Sequence, residues 1–406
     1  MLNASQKMKS TPVGDIPVDW EVSTLGSITK DKIVYGIVQA GPYVPEGIPY
    51  IRSTDVGEKI DVSKLRRTSQ KIAEKYNRSV VGKGDIVFSL RGNIGESSIV
   101  PEMLAGANLT QGTARISVSK GNNGTFIRYV LKTVAVYKRI LAVAKGSTFV
   151  EITLDDLRKI KIPLPPLPEQ RKIAGILGTW DRAIETQQQL IDSLTRRKKA
   201  LMQQLLTGKT RLPGFEDEWQ EVKLGDYFKE RRERNHNDLK LLAITAKGGI
   251  VDRDSLTKTD TSNADKSKYL RITPGDIGYN TMRMWQGVSG LSTMEGIVSP
   301  AYTILTPTKQ VHPEFAAYLF KLPELVFKFK RYSQGLVDDT LSLKYTAFKV
   351  IKTYIPTALD EQKSIAQVLT TADREISHHT AHLAALRNQK RGLMQQLLTG
   401  KTRVTL

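Results

Sequence analysis

Leu201-Met202-Gln203-Gln204-Leu205-Leu206-Thr207-Gly208-Lys209-Thr210-Arg211 returns letter for letter from Leu393 to Arg403. The match extends backwards without a gap to Glu169-Gln170 and Glu361-Gln362, and it includes Asp181-Arg182 against Asp373-Arg374. The offset is constant at 192 positions, the interval from Glu169 to Glu361. About half of the aligned residues are identical, more than two unrelated helices share, so the chain is read as two copies of one plan.

Each copy reads as one long helix. Ile173, Leu177, Trp180, Ile184, Gln187, Ile191, Leu194, Lys198, Leu201 and Leu205 alternate at spacings of four and three, and so do Ile365, Leu369, Ala372, Ile376, His379, Leu383, Leu386, Lys390, Leu393 and Leu397. That is a heptad seam, narrower than the stripe of an ordinary surface helix. Both seams carry a polar residue at the same two places, Gln187 with His379 and Lys198 with Lys390, a device that fixes register. The copies are therefore expected to pair antiparallel, bringing Leu406 back towards Met1. Gly208 and Gly400 are placed to close the helices in the left-handed conformation. A helix of this length spans roughly 55 Å, too long for one small domain.

The segments outside the repeats are mixed. Trp20, Val22 and Leu25-Gly26 recur as Trp219, Val222 and Leu224-Gly225. Tyr50 to Val56 reads as a strand entering a polar turn, and Gly82 to Ser89 as a turn feeding a buried strand before the loop Arg91 to Gly95. Their counterparts are Pro274 to Asn280 and the loop Met282 to Gly287. Phe126, Tyr129, Val130, Val134, Tyr137 and Leu141 fall at helical spacing, as do Phe315, Tyr318 and Leu319, with Pro323 expected to interrupt the second run. Pro163, Pro165, Pro166 and Pro168 are expected to stop the preceding strand and stiffen the start of the first long helix; Asp360 is expected to cap the second. The fold class is α+β: variable domains at 1–162 and 212–356, helical spacers at 163–211 and 357–406, related by an internal pseudo-two-fold axis.

Composition narrows the partners. Lys and Arg number 61 against 41 Asp and Glu, a net charge of +20 that favours a polyanion such as nucleic acid. With 0 cysteines there is no disulfide, thiolate metal site or cysteine nucleophile, which suits a reducing cytoplasm. No apolar run has the length of a membrane span, and the opening residues lack a signal-peptide core.

Catalytic motifs are missing. Gly208-Lys209-Thr210 ends a helix instead of opening one, and Gln203 stands where a phosphate-binding loop needs glycine. His378, His379 and His382 have no further ligand at metal spacing. Methyltransferase, hydrolase and ATPase signatures are likewise absent. The candidate DNA-binding residues lie in loops at equivalent places in the two copies: Arg52, Arg91, Asn93, Asn108, Gln111, Ser147 and Thr148, then Asn280, Arg283, Gln286, Tyr302 and Gln334. Arginine bridges guanine, and Asn or Gln bridges adenine. Trp285 and Tyr279 are the aromatic candidates. Lys71, Lys75, Lys83, Lys247 and Lys268 are placed with phosphate.

Two variable domains alternating with two repeated helices, Pro-Leu-Pro-Glu-Gln (Pro166 to Gln170) opening the first and Leu-Met-Gln-Gln-Leu-Leu-Thr-Gly-Lys closing both, resembles the specificity (S) subunit of type I restriction-modification systems. The resemblance covers nearly the whole chain. It implies target recognition domains that each read one half of a bipartite double-stranded DNA sequence, and helices that set the spacing and dock two methyltransferase (M) subunits. Endonuclease-translocase (R) subunits join through those. It also implies a non-catalytic chain without cofactor or metal, with S-adenosylmethionine, ATP and magnesium on the partner subunits. Alternatives from other classes are a stand-alone sequence-specific DNA nuclease or modification enzyme with an unrecognised active site, and a scaffold that binds protein alone. Chemistry by the isolated chain on DNA would favour the first, and the absence of salt-dependent DNA affinity the second.

Overall fold

A computed structural model describes residues 2–3, 7–146, 150–246, 248–256 and 265–405. Two helices dominate it, Leu167–Leu205 and Leu359–Leu397, each of 39 residues. Every seam position named above is buried or half-buried. Gly208 and Gly400 both adopt φ +70°, the left-handed conformation that ends a helix, and each lies against the tryptophan of its own unit, Trp219 and Trp20. Asp360 falls inside the first turn of the second helix rather than before it. There its charge complements the helix dipole instead of capping.

Contacts divide the chain into two compact units, Met1–Gln187 with His382–Leu406, and Gln188–Ala381. Each unit takes one variable segment together with part of both long helices. In the first, Lys390 of the second helix pairs with Asp181 of the first. In the second, Lys198 Nζ stands 2.5 Å from Asp373 Oδ1. The polar seam lysines thus each find an aspartate across the antiparallel pair. The same aspartates accept the hydroxyls of Tyr129 and Tyr318, which belong to the shorter helices Gly124–Leu131 and Pro313–Leu319. Each lysine also lies over that tyrosine ring at 5.2 Å. Burial, with the bond to Asp373, pushes the Tyr318 hydroxyl up to about 12. One Lys–Asp–Tyr cluster in each unit ties the variable segment to both helices.

The first unit holds an antiparallel four-stranded sheet in the order Val34–Tyr35, Thr113–Ile116, Ile86–Ser89, Ser97–Ile99. The second has Phe228–Arg231, Tyr302–Pro307, Ile277–Asn280, Ser289–Leu291 in the same order. Leu2–Asn3 pairs with Arg403–Val404, so the chain does return to its beginning. Ile86, Phe88, Ala114, Phe126 and Ile173 share one core, and Phe228, Ile277, Phe315, Phe348 and Ile365 share the other.

Two local expectations change. The strand Lys161–Leu164 runs through Pro163, opposite Val22, because a two-stranded ladder leaves one side of each strand needing no donor. The helical run from Phe126 is two helices, Gly124–Leu131 and Val134–Val143, separated where the Thr133 side chain caps the second. Tyr137 and Leu141 consequently lie exposed. Pro323 starts a new helix, Pro323–Tyr332, at a position where its missing N–H costs nothing.

Candidate nucleic-acid interface

In the first unit four loops converge. The Ile51 carbonyl accepts from Thr110 N at 3.2 Å and Thr113 Oγ1 at 3.1 Å; Leu90 N donates to Gly112 O at 2.9 Å and Ile152 N to Leu90 O at 3.0 Å. The turn after Ile51, the loop after Leu90, the Gln111-Gly112 turn and the Glu151-Ile152 segment therefore stand side by side. Arg52 is held within this group: its backbone N–H, Nε and a terminal nitrogen donate to Asp55 at 2.9, 2.9 and 2.8 Å. That bond raises the guanidinium pKa above its usual value. Asn93 is also engaged, donating to Val56 O at 3.0 Å and accepting from Ser89 Oγ at 2.6 Å.

Arg91 and Gln111 differ: neither side chain bonds to a described residue. Arg91 lies across Gly112, where an added Cβ would come 3.0 Å from its Nε. Asn108 is fully buried, donating to Ala73 O at 3.1 Å and accepting from Leu109 N and Ser79 Oγ. It serves the core and does not reach the surface. Ser147 and Thr148 lie outside the described residues; Lys145 and Glu151 exchange two backbone bonds of 2.9 Å. Lys71 and Lys75 are exposed, and Lys83 pairs with Glu102.

The second unit repeats the arrangement. Leu343 N donates to Thr281 O at 2.9 Å, the counterpart of Ile152 and Leu90. Asn280 accepts from Met282 N at 3.0 Å and shapes the loop with Arg283 N, which donates to the Asn280 carbonyl at 3.0 Å. Gly287 closes that loop at φ +74°. Trp285 is half-buried, its Nε1 donating to Met282 O at 3.1 Å and Lys330 lying over its ring at 5.0 Å. Arg283 reaches Asp339 at 3.3 Å, Gln286 is exposed, and Tyr302 is half-buried beside Asn280 in the ladder. Gln334 is exposed and bonds to Ser342 through its backbone. Tyr279 is fully buried against Phe348, ring centroids 5.7 Å apart, so it is a core aromatic and not a stacking surface for DNA. Lys247 lies outside the described residues; Lys268 is exposed.

Two supports escaped sequence reasoning. Lys321 Nζ donates to the carbonyls of Gly287 at 2.6 Å and Ser289 at 2.7 Å, pinning the far end of the Arg283–Gly287 loop. Burial pushes its pKa down to about 8. In the first unit the corresponding work falls to Arg128, buried and donating to Ser97 O at 3.0 Å. Burial disfavours the Glu58 carboxylate beside it, yet Lys132 and Arg128 outweigh this and hold Glu58 at about 2. The only sequence signal was a lysine at matching places in the two copies, Lys132 and Lys321.

Each unit thus presents guanidinium and amide groups, with an indole in the second, on loops braced from beneath. Such groups bond base edges and phosphate. Among the described residues no three His, Asp or Glu side chains are grouped to hold a metal, and no helix is long and apolar enough to cross a membrane.

A family model described as the type I restriction modification DNA specificity domain matches residues 17–196. A putative type I restriction enzyme specificity subunit of Methanocaldococcus jannaschii (MjaX) is 27% identical over 98% of this chain and 97% of the relative. The EcoBI specificity subunit of Escherichia coli is 33% identical over 39% of this chain and 34% of its own. Among solved structures, the S subunit of a type I restriction-modification system from M. genitalium has the same fold, with a TM-score of 0.58 at 17% identity over 93% of this chain and 96% of that one.

Proposed function

We propose that this chain, which belongs to the type I restriction-modification specificity-subunit family, reads a bipartite double-stranded DNA target, one half with each variable segment. The first reader is residues 1–162 and the second 212–356. The helical spacers 163–211 and 357–406 fix the distance between them and dock two methyltransferase (M) subunits, to which endonuclease-translocase (R) subunits attach. The chain itself performs no chemistry. S-adenosylmethionine, ATP and magnesium belong to the partners, and the assembly works in the cytoplasm.

The observation that carries this reading is the repetition of one braced loop face in both copies, marked by Ile152 N on Leu90 O and by Leu343 N on Thr281 O. A single reader would need one such face. The net charge of +20 supplies the attraction to phosphate.

The test exchanges residues 1–162 for the corresponding segment of another specificity subunit and maps methylated adenines across a genome. One half-site changes and the other is kept. A change in both halves, or in neither, overturns independent reading.

A further inference from the structure

The hairpin between Gln334 and Ser342 carries two aliphatic side chains that the fold does not use. Leu336 is 100% exposed and Val337 61%. Single exposed leucines are common on surfaces, and on a loose tail they mean nothing. This loop is tied down. Gln334 and Ser342 close its neck with backbone bonds of 3.0 and 2.8 Å. Thr340 Oγ1 accepts from the N–H groups of Leu336 and Val337 at 3.2 Å each and donates to Val337 O at 2.9 Å. Asp338 pairs with Lys330 at 3.0 Å and Asp339 with Arg283 at 3.3 Å. Gly335 sits at φ +154°, where an added Cβ would fall 2.6 Å from Thr340 O. The backbone is built to hold a two-residue apolar tip out in water.

What surrounds the tip identifies its occupant. Both aspartates of the loop are matched by cations, and Arg331 adds a further exposed positive charge. The Arg283 and Lys330 that hold the hairpin also belong to the face bearing Trp285 and Gln286, since Lys330 covers the Trp285 ring. Two side chains are far too small to anchor a protein interface, which needs roughly 800 Å² per partner. They do suit the apolar features of DNA, namely the thymine methyl group in the major groove and the base-pair step that an aliphatic wedge opens.

We propose that Leu336 and Val337 make apolar contact with bases of the half-site read by the second unit, supplying discrimination that Arg283 and Gln286 alone do not. The inference rests on the reading of this chain as a DNA-recognition subunit.

The test uses the full chain assembled with its methyltransferase subunits and a duplex carrying its mapped target. Leu336→Ser with Val337→Ser lowers affinity for that duplex by about tenfold or more, the equivalent of one buried aliphatic side chain. Discrimination in the first half-site stays as it was, native mass spectrometry shows unchanged assembly, and Leu336→Met restores most of the binding. Replacing each thymine of the second half by uracil weakens wild-type binding where a methyl group is touched. A 2-aminopurine that brightens with wild type and not with the variant marks a wedge instead. Affinity within twofold of wild type overturns the inference while leaving the DNA reading intact, and so does a variant that fails to assemble, since the tip is then a protein contact. A wild-type complex without any sequence preference brings down both.

Discussion

Arg403 closes on Glu169 from 234 positions away: its Nε and a terminal nitrogen donate to the two carboxylate oxygens at 2.6 and 2.8 Å. The carboxylate is 2% exposed and also accepts from Trp20 Nε1 at 3.0 Å, while Asp19 takes the guanidinium's remaining side at 2.9 and 2.8 Å. The second unit repeats the clamp with Arg211 on Glu361 at 2.7 and 2.8 Å and Trp219 at 3.3 Å. Each clamp joins the end of one long helix to the start of the other.

Removing one partner of a buried pair strands the other. Arg403→Met should destabilise the first unit by about 3–5 kcal/mol, whereas Glu169→Met combined with Arg403→Met should recover most of that loss. Hydrogen exchange read by mass spectrometry checks this: amides around Trp20 and Ile173 lose protection in the single variant and keep it in the double. Arg211→Met should do the same around Trp219 and Ile365 and leave the first unit protected.

Lys321 gives the second unit a pH signature. Its pKa falls from the ordinary 10.5 to about 8 because burial disfavours the charged form, and among the described residues it donates to the carbonyls of Gly287 and Ser289 and pairs with no carboxylate. Between those values the unfolded chain binds the proton and the folded one does not, so stability rises with pH through this window. Below about 8 the cost of burying the charge is present in full. Urea titrations from pH 8 to 10.5 should show a gain of up to about 3 kcal/mol that is missing in Lys321→Met. Because other lysines and tyrosines titrate nearby in pH, the difference between the two proteins is the quantity to read.

Arg52 and Arg91 should part company on substitution, although sequence reasoning treated them alike. The Arg91 side chain has no bond to a described residue, so Arg91→Ala should weaken specific DNA binding by about 1–3 kcal/mol and relax preference at one position. Arg52 is spent on Asp55, and Arg52→Ala should instead loosen the Ser53–Asp55 turn, lowering protection of that segment in hydrogen exchange. Anisotropy titrations on the target and on single-base variants distinguish loss of readout from loss of structure.

That contrast marks where sequence stops being informative. The long helices were legible because a heptad seam is a local, repeated signal, and Gly208 and Gly400 because a left-handed residue after a helix favours glycine. Lys198 and Lys390 were recognisable as polar seam residues, but not as partners of Asp373 and Asp181, since that pairing depends on which helix face meets which. The interruption at Thr133 was missed because the apolar spacing continues across it. Within the loops, residue type could not tell Arg52 from Arg91 or Tyr279 from Trp285. Their fates are decided by Asp55 and Phe348, brought there by the fold.

Under the proposed reading, in which each variable segment reads one half of the target, the spacing between the halves should follow helix length. The two long helices pair antiparallel within each unit, with seam lysines and aspartates fixing their register. Four residues inserted into each helix between its two polar seam positions, chosen to continue the four-three alternation, add about 6 Å at 1.5 Å per residue. That is close to two steps of DNA at about 3.4 Å. The preferred spacer should therefore lengthen by one or two base pairs while both half-sites stay the same. Methylation-site mapping in cells carrying the insertion variant measures it directly. An unchanged spacer would mean that something other than helix length sets the distance, and altered half-sites would mean that the readers do not act independently of the helices that join them.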